Sequence, residues 1–71
     1  MIVTAYVERD QESGLYVATV PSIRGAHTQA ASLDELQVNL KEVVELCLEE
    51  GDVELDAIPV FVGVQQVEID A

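Results

Sequence analysis

The stretch from Ser32 to Gly51 constrains the fold more than any other part of this chain. Ser32 followed three residues later by Glu35 has the spacing of a capping box, in which the serine hydroxyl accepts from the Glu35 backbone N–H while the glutamate reaches back to Ser32 N–H. Beyond it Leu36, Leu40, Val43, Val44, Cys47 and Leu48 recur at spacings of four, three, one, three and one. This is the 3.6-residue stripe of a helix packed on one side only. Gly51 stands where a left-handed residue ends a helix, so the pattern predicts a helix over Leu33–Glu50, about 27 Å long at 1.5 Å per residue. Burying its stripe contributes on the order of 10 kcal/mol before entropy is subtracted. Such a helix requires an apolar surface to lie on.

The rest of the chain supplies that surface as strands. Ile2–Glu8 alternates, with Val3, Ala5 and Val7 on one side and Ile2, Thr4 and Tyr6 on the other. The polar run Arg9-Asp-Gln-Glu-Ser-Gly14 reads as a hairpin connection, and Leu15–Val20 as its returning strand, with Tyr16, Ala18 and Val20 on one face. Pro21 has no backbone donor, so it ends the ladder and opens a turn running to Gly25. Ala26–Ala30 alternates small and polar residues as a short third strand. After an acidic connector closed by Pro59, Val60–Val64 reads as a fourth strand, and its apolar phase shifts by one to Val67 and Ile69 near Gln65-Gln66. An exposed strand of this kind is a candidate for pairing across a subunit interface. The expected fold is α+β: a single domain over residues 1–71, a small β-β-β-α-β module whose antiparallel sheet is covered on one face by a single helix.

Composition enters through size and charge. A chain of 71 residues, 49% hydrophobic, is too apolar to be a disordered acidic segment. A domain this small nevertheless buries only about 60% of its unfolded surface. One cysteine forbids an internal disulfide, which leaves oligomerisation as the usual support, so a homodimer or higher oligomer is expected. Fourteen acidic residues against three basic ones give a formal net charge of −11. Arg9, Arg24 and Lys41 are scattered, and a phosphate backbone needs clustered cations, so no direct nucleic-acid binding is expected. The field of the chain attracts basic partners and repels polyanions and anionic membranes. No signal-peptide pattern and no apolar run near 18 residues occurs, and with a single reduced Cys47 the expected location is cytoplasmic, without membrane contact.

No residue constellation calls for catalysis, a metal or a cofactor. His27, the single histidine, has only Thr28 and Gln29 beside it, not the nucleophile or acid that catalysis needs, and reads as a structural or surface residue. Cys47 lies on the apolar stripe and reads as a small hydrophobe. Asp10 with Glu12, and Glu49, Glu50, Asp52 and Glu54, lack the glycine-containing loop of an EF-hand and read as solvated charge. No phosphate-cradling glycine pattern exists. The chain is therefore expected not to be an enzyme. One charged set stands out. Glu45, Glu49, Glu50 and Asp52 crowd the end of the helix, where carboxylates oppose the macrodipole by about 0.3–1 kcal/mol each. They read either as a solubilising face or as a contact for cations on a partner.

Leu15-Tyr-Val-Ala-Thr-Val-Pro21, then Gly25-Ala-His-Thr-Gln29, then Ser32-Leu-Asp-Glu-Leu36 with Asn39-Leu-Lys-Glu42 and Glu45, resembles the HicB family of antitoxins. The family pattern is Y-V-A-x-V-P-x-x-x-G-C-x-T-Q-G-x-T-x-E-E-A followed by N-[IL]-x-E-A-[IVL]. The match runs without gaps over residues 15–48 and departs at Ala26 for cysteine, Ala30 for glycine and Leu36 for alanine. The resemblance implies a degraded ribonuclease-H-like module that neutralises a small basic, mRNA-cleaving, HicA-like toxin by direct binding. Longer members add a DNA-binding segment for operon repression, which has no counterpart in this sequence. The runner-up reading is an orphan HicB-like oligomeric binding module without a cognate toxin.

Overall fold

The computed structural model describes residues 2–51 and 60–70. In chain order they form β1 (Tyr6–Arg9), β2 (Tyr16–Thr19), β3 (His27–Ala30) and α1 (Leu33–Glu49). The strands make one antiparallel meander in the order β1-β2-β3. The architecture is α+β, a three-stranded sheet followed by a single helix, as the alternation and the helical stripe imply.

Pairing in β1 and β2 runs from Tyr6↔Thr19 to Arg9↔Tyr16, and β2 continues into β3 from Tyr16↔Ala30 to Thr19↔His27. Residues opposite one another share a face. Val7, Ala18 and Thr28 therefore lie on the helix side, and Tyr6, Thr19 and His27 on the outer side. The first strand starts at Tyr6, four residues later than the alternation from Ile2 suggests. Continued in the same register, Thr4 would oppose Pro21, which has no N–H to donate, and the chain there is already turning through the bond from Ile23 N–H to Val20 C=O at 3.1 Å. Val3 and Ala5 still pack against the core from outside the ladder.

The turn after β2 is part of the core rather than a surface excursion. Val20, Ile23 and Ala26 are each 2% exposed and form one buried cluster, and Ala18, Ala30 and Leu36 form the other. Leu40 touches both clusters. Ala26 N–H donates to Ile23 C=O at 3.1 Å and Gly25 has φ +83°, the arrangement of a type II turn that requires glycine at its third position. Small residues on the sheet let the helix backbone come close. Asn39 Nδ2 spans the remaining gap and donates to the Gln29 carbonyl at 3.3 Å.

The helix begins where its cap dictates. Ser32 is extended, with φ −137° and ψ 160°, and its Oγ accepts from Glu35 N–H at 3.2 Å. The serine half of the expected box is formed; among the described residues no bond returns from the Glu35 carboxylate to Ser32 N–H, and Glu35 stays exposed. At the other end Gly51, φ +76°, donates to Leu48 C=O at 3.2 Å, half of a Schellman closure. The helix lies over β3 and β2 and leaves β1 uncovered. Val7 is accordingly 46% exposed.

The expected fourth strand over Val60–Val64 is not formed within this chain. Residues 60–70 join no ladder, and Val60, Val62, Val64, Val67 and Ile69 are 73–95% exposed. Phe61 alone is tied down, edge-on against the Tyr6 ring at 5.9 Å between centroids and 71° between planes. Gly63 has φ +152°, outside the ordinary strand region, and interrupts the strand geometry of the segment.

Candidate functional site

The acidic end of α1 is built by the same periodicity that builds the core. With Leu36, Leu40, Val44 and Cys47 turned to the sheet, Lys41, Glu42, Glu45, Glu49 and Glu50 are placed on the solvent side, and all five are exposed. Of the four residues expected to contact a partner, Glu45, Glu49 and Glu50 thus occupy one exposed surface over the last two turns; Asp52 lies outside the described residues. No basic residue occupies the last turn of the helix. Lys41, one turn earlier, reaches Glu45 Oε1 at 3.9 Å, with side-chain exposures of 79% and 58%. An exposed pair of this kind contributes about 0–1 kcal/mol and, among the described residues, leaves Glu49 and Glu50 uncompensated.

The carboxylates meet the C-terminal carbonyls of the helix, where the backbone already concentrates negative charge. Two of those carbonyls are used: Glu50 N–H bonds Leu46 C=O at 3.1 Å and Gly51 N–H bonds Leu48 C=O at 3.2 Å. The negative field that remains points outward. Its carboxylates stand on an exposed convex surface, so what they can do chemically is attract and orient a cationic surface rather than enclose and transform a small molecule.

A second acidic feature sits at the opposite end of the fold. The hairpin between β1 and β2 encloses an open groove of about 530 Å³ lined by Glu8, Arg9, Asp10, Gln11, Glu12, Ser13, Val17 and Gln29. Asp10, which the sequence offers as a possible chelator with Glu12, instead organises the loop. Its Oδ2 accepts from Ser13 N–H at 2.9 Å and from Ser13 Oγ–H at 2.7 Å. Those bonds, the side-chain one first, hold its carboxyl below the ordinary value of 3.8. The signal available in the sequence was the Asp-x-x-Ser spacing, at which an aspartate side chain can accept from the serine three residues on. Arg9 lies 5.9 Å above the Tyr16 ring and is engaged there as a cation over an aromatic face.

The remaining candidates are dispersed. His27 is exposed on the outer face of β3. Cys47 is half-buried in the core, with Sγ 4.0 Å from the Arg24 carbonyl. Among the described residues no three His, Cys, Asp or Glu side chains converge in a way that holds a metal ion. No helix among them is long and apolar enough to cross a membrane.

Comparison with known proteins gives a consistent picture. The family described as "Domain of unknown function (DUF1902)" matches residues 2–65. A UPF0150 protein of Archaeoglobus fulgidus is 51% identical over 63 residues, covering 89% of this chain and 87% of its own. UPF0150 proteins of Synechocystis and Thermotoga maritima are each 44% identical, over 86% and 97% of this chain and 84% and 91% of theirs. No solved structure matches.

Proposed function

We propose that this chain, which belongs to the DUF1902 domain family, is an antitoxin that neutralises a small basic, RNA-cleaving toxin of the HicA-like kind by binding it directly. The observation that carries the reading is the exposed carboxylate surface of Glu45, Glu49 and Glu50 at the C-terminal end of α1, of which only Glu45 meets a cation among the described residues. Local stability does not favour acids there, and an external cation field gives a physical reason for them. A ribonuclease that grips RNA must carry a cationic face, and this surface is complementary to it. The ordered resemblance of residues 15–48 to HicB antitoxins supports the same partner. Its motif residues fall at structural joints of this fold: Pro21 and Gly25 in the buried turn, Ser32 at the cap, Asn39 against β3. In this role the chain is not an enzyme, needs no cofactor and acts in the cytoplasm beside its toxin.

The test looks for a basic reading frame adjacent to this one and uses its product. Co-expression of the two chains is expected to relieve the growth arrest caused by the basic protein alone. The purified chain is expected to stop its cleavage of RNA at a one-to-one ratio. Undiminished cleavage at saturating amounts of this chain, or absence of any such neighbouring frame, leaves the orphan binding module as the better reading.

A further inference from the structure

The solvent side of α1 is not uniformly polar. Glu35, Val38, Glu42, Glu45, Leu46 and Glu49 follow one another at spacings of three and four, which places them on one face of the helix, and all six are exposed. Val38 and Leu46 are 57% and 58% exposed, well away from the buried side of Leu36, Leu40, Val44 and Cys47. Eight residues separate the two, about 12 Å along the axis. No cation lies on this face; Lys41 stands at its edge, 3.9 Å from Glu45 Oε1. Solubility gives no reason for the two aliphatic side chains, and a β-branched valine in mid-helix gives up side-chain freedom that a glutamate or lysine keeps. Single exposed aliphatics are ordinary on a protein surface. Here two of them share a face with four carboxylates, so apolar contact is bordered by charge, as in the core and rim of an interface. Leu33 is also 57% exposed, but the helical phase turns it away from this face.

We infer that Val38 and Leu46 are the apolar anchors of the surface that meets the basic partner, an inference that rests on the antitoxin reading and extends its contact from the helix end back to Glu35. The occupant this face fits is a basic protein surface with two apolar hollows about 12 Å apart, bordered by lysine or arginine side chains. Charge complementarity selects it: a second copy of this chain, with its own net charge of −11, is repelled by the same carboxylates. The two kinds of side chain divide the work. Glu42, Glu45 and Glu49 draw the cationic surface in and set the association rate, whereas Val38 and Leu46, once covered, hold it and set the dissociation rate.

The experiment measures association and dissociation rates of the full chain with a basic protein encoded beside it, for the natural sequence and for Leu46→Ala, Val38→Ala and Leu33→Ala. Alanine changes no charge and favours the helix, and the first two positions are exposed, so the circular-dichroism signature of α1 and the denaturation midpoint are expected to hold or rise. Leu46→Ala is expected to speed dissociation about tenfold and Val38→Ala severalfold, each with an association rate and salt dependence close to those of the natural chain. Leu33→Ala, which removes an equally exposed leucine from another side of the helix, is expected to leave both rates unchanged. Unaltered dissociation of the Leu46→Ala chain, an equal acceleration by Leu33→Ala, or a lowered denaturation midpoint of either anchor variant would each overturn the inference while leaving the antitoxin reading in place. A natural chain that binds no basic protein encoded beside it sinks that reading, and the anchors with it.

Discussion

Single residues in this protein set geometry rather than chemistry, and their effects are predictable from the bonds they make. Ser32 Oγ satisfies one of the helix N–H groups that have no partner inside the helix. Ser32→Ala is expected to cost about 1 kcal/mol, read as a lowered denaturation midpoint at unchanged slope. Gly25, at φ +83°, occupies backbone space that an L side chain enters at about 1–2 kcal/mol. Because the turn it closes places Ile23 and Ala26 in the core, Gly25→Ala is expected to lose at least that much on the same measurement. Asp10 gives a pH signature. Bonding from Ser13 lowers its folded-state pKa, so the ionised form favours the fold; this contribution is complete above the ordinary value of 3.8 and disappears as pH falls through the depressed value. Ser13→Ala is expected to bring the Asp10 titration, followed by carboxyl NMR shifts, back up toward the ordinary value.

At the scale of elements, what was legible in the sequence is what periodicity and caps encode. The stripe from Leu36 to Leu48, the cap at Ser32 and the stop at Gly51 gave the helix to within one residue. Pro21 and Gly25 marked the turn, and Tyr16, Ala18 and Val20 the inward face of β2. Three things were not legible. The start of β1 depends on what Pro21 offers across the ladder, a pairing that alternation alone does not contain. Ile23 lies in a Pro/Gly turn, which reads as surface, yet it is among the most buried side chains because the turn folds back under the helix. The segment 60–64 has strand propensity but no partner strand among the described residues of its own chain, and propensity says nothing about where a partner comes from. For the candidate site, the residue types and the helix end were readable, and their common exposure followed from the helical phase. The absence of a basic residue in the last turn makes a further expectation. Glu49→Gln with Glu50→Gln removes two charges that oppose the macrodipole, and is expected to stabilise the isolated chain by about 0.3–1 kcal/mol per residue, measured by denaturant titration at low salt. A site kept for function rather than for the fold behaves in this way: its loss raises stability while it weakens binding.

For the whole molecule, eleven of the fourteen acidic residues lie from Asp34 onward, so the charge belongs to the helix and the C-terminal segment rather than to the sheet. The surface has two kinds of region. One is the charge-free segment 60–67; the other is the carboxylate end of α1. On the proposed reading, docking at the carboxylate end weakens with salt, since screening hinders the meeting of oppositely charged proteins. Complementary charge acts mainly on the association rate, whereas the apolar part of an interface governs dissociation. The most direct test of the antitoxin reading is therefore the association rate with a basic protein encoded beside this chain, measured by stopped flow as a function of ionic strength. It is compared between the natural chain and the triple substitution Glu45→Gln, Glu49→Gln and Glu50→Gln. An antitoxin that docks through this helix end associates at a rate that falls steeply as the Debye length shrinks to about 8 Å at 0.15 M. The triple substitution is expected to show a severalfold slower and flatter dependence, with dissociation rates that stay close to those of the natural chain. Identical association rates at every salt concentration would contradict this reading and make the helix end a solvated face.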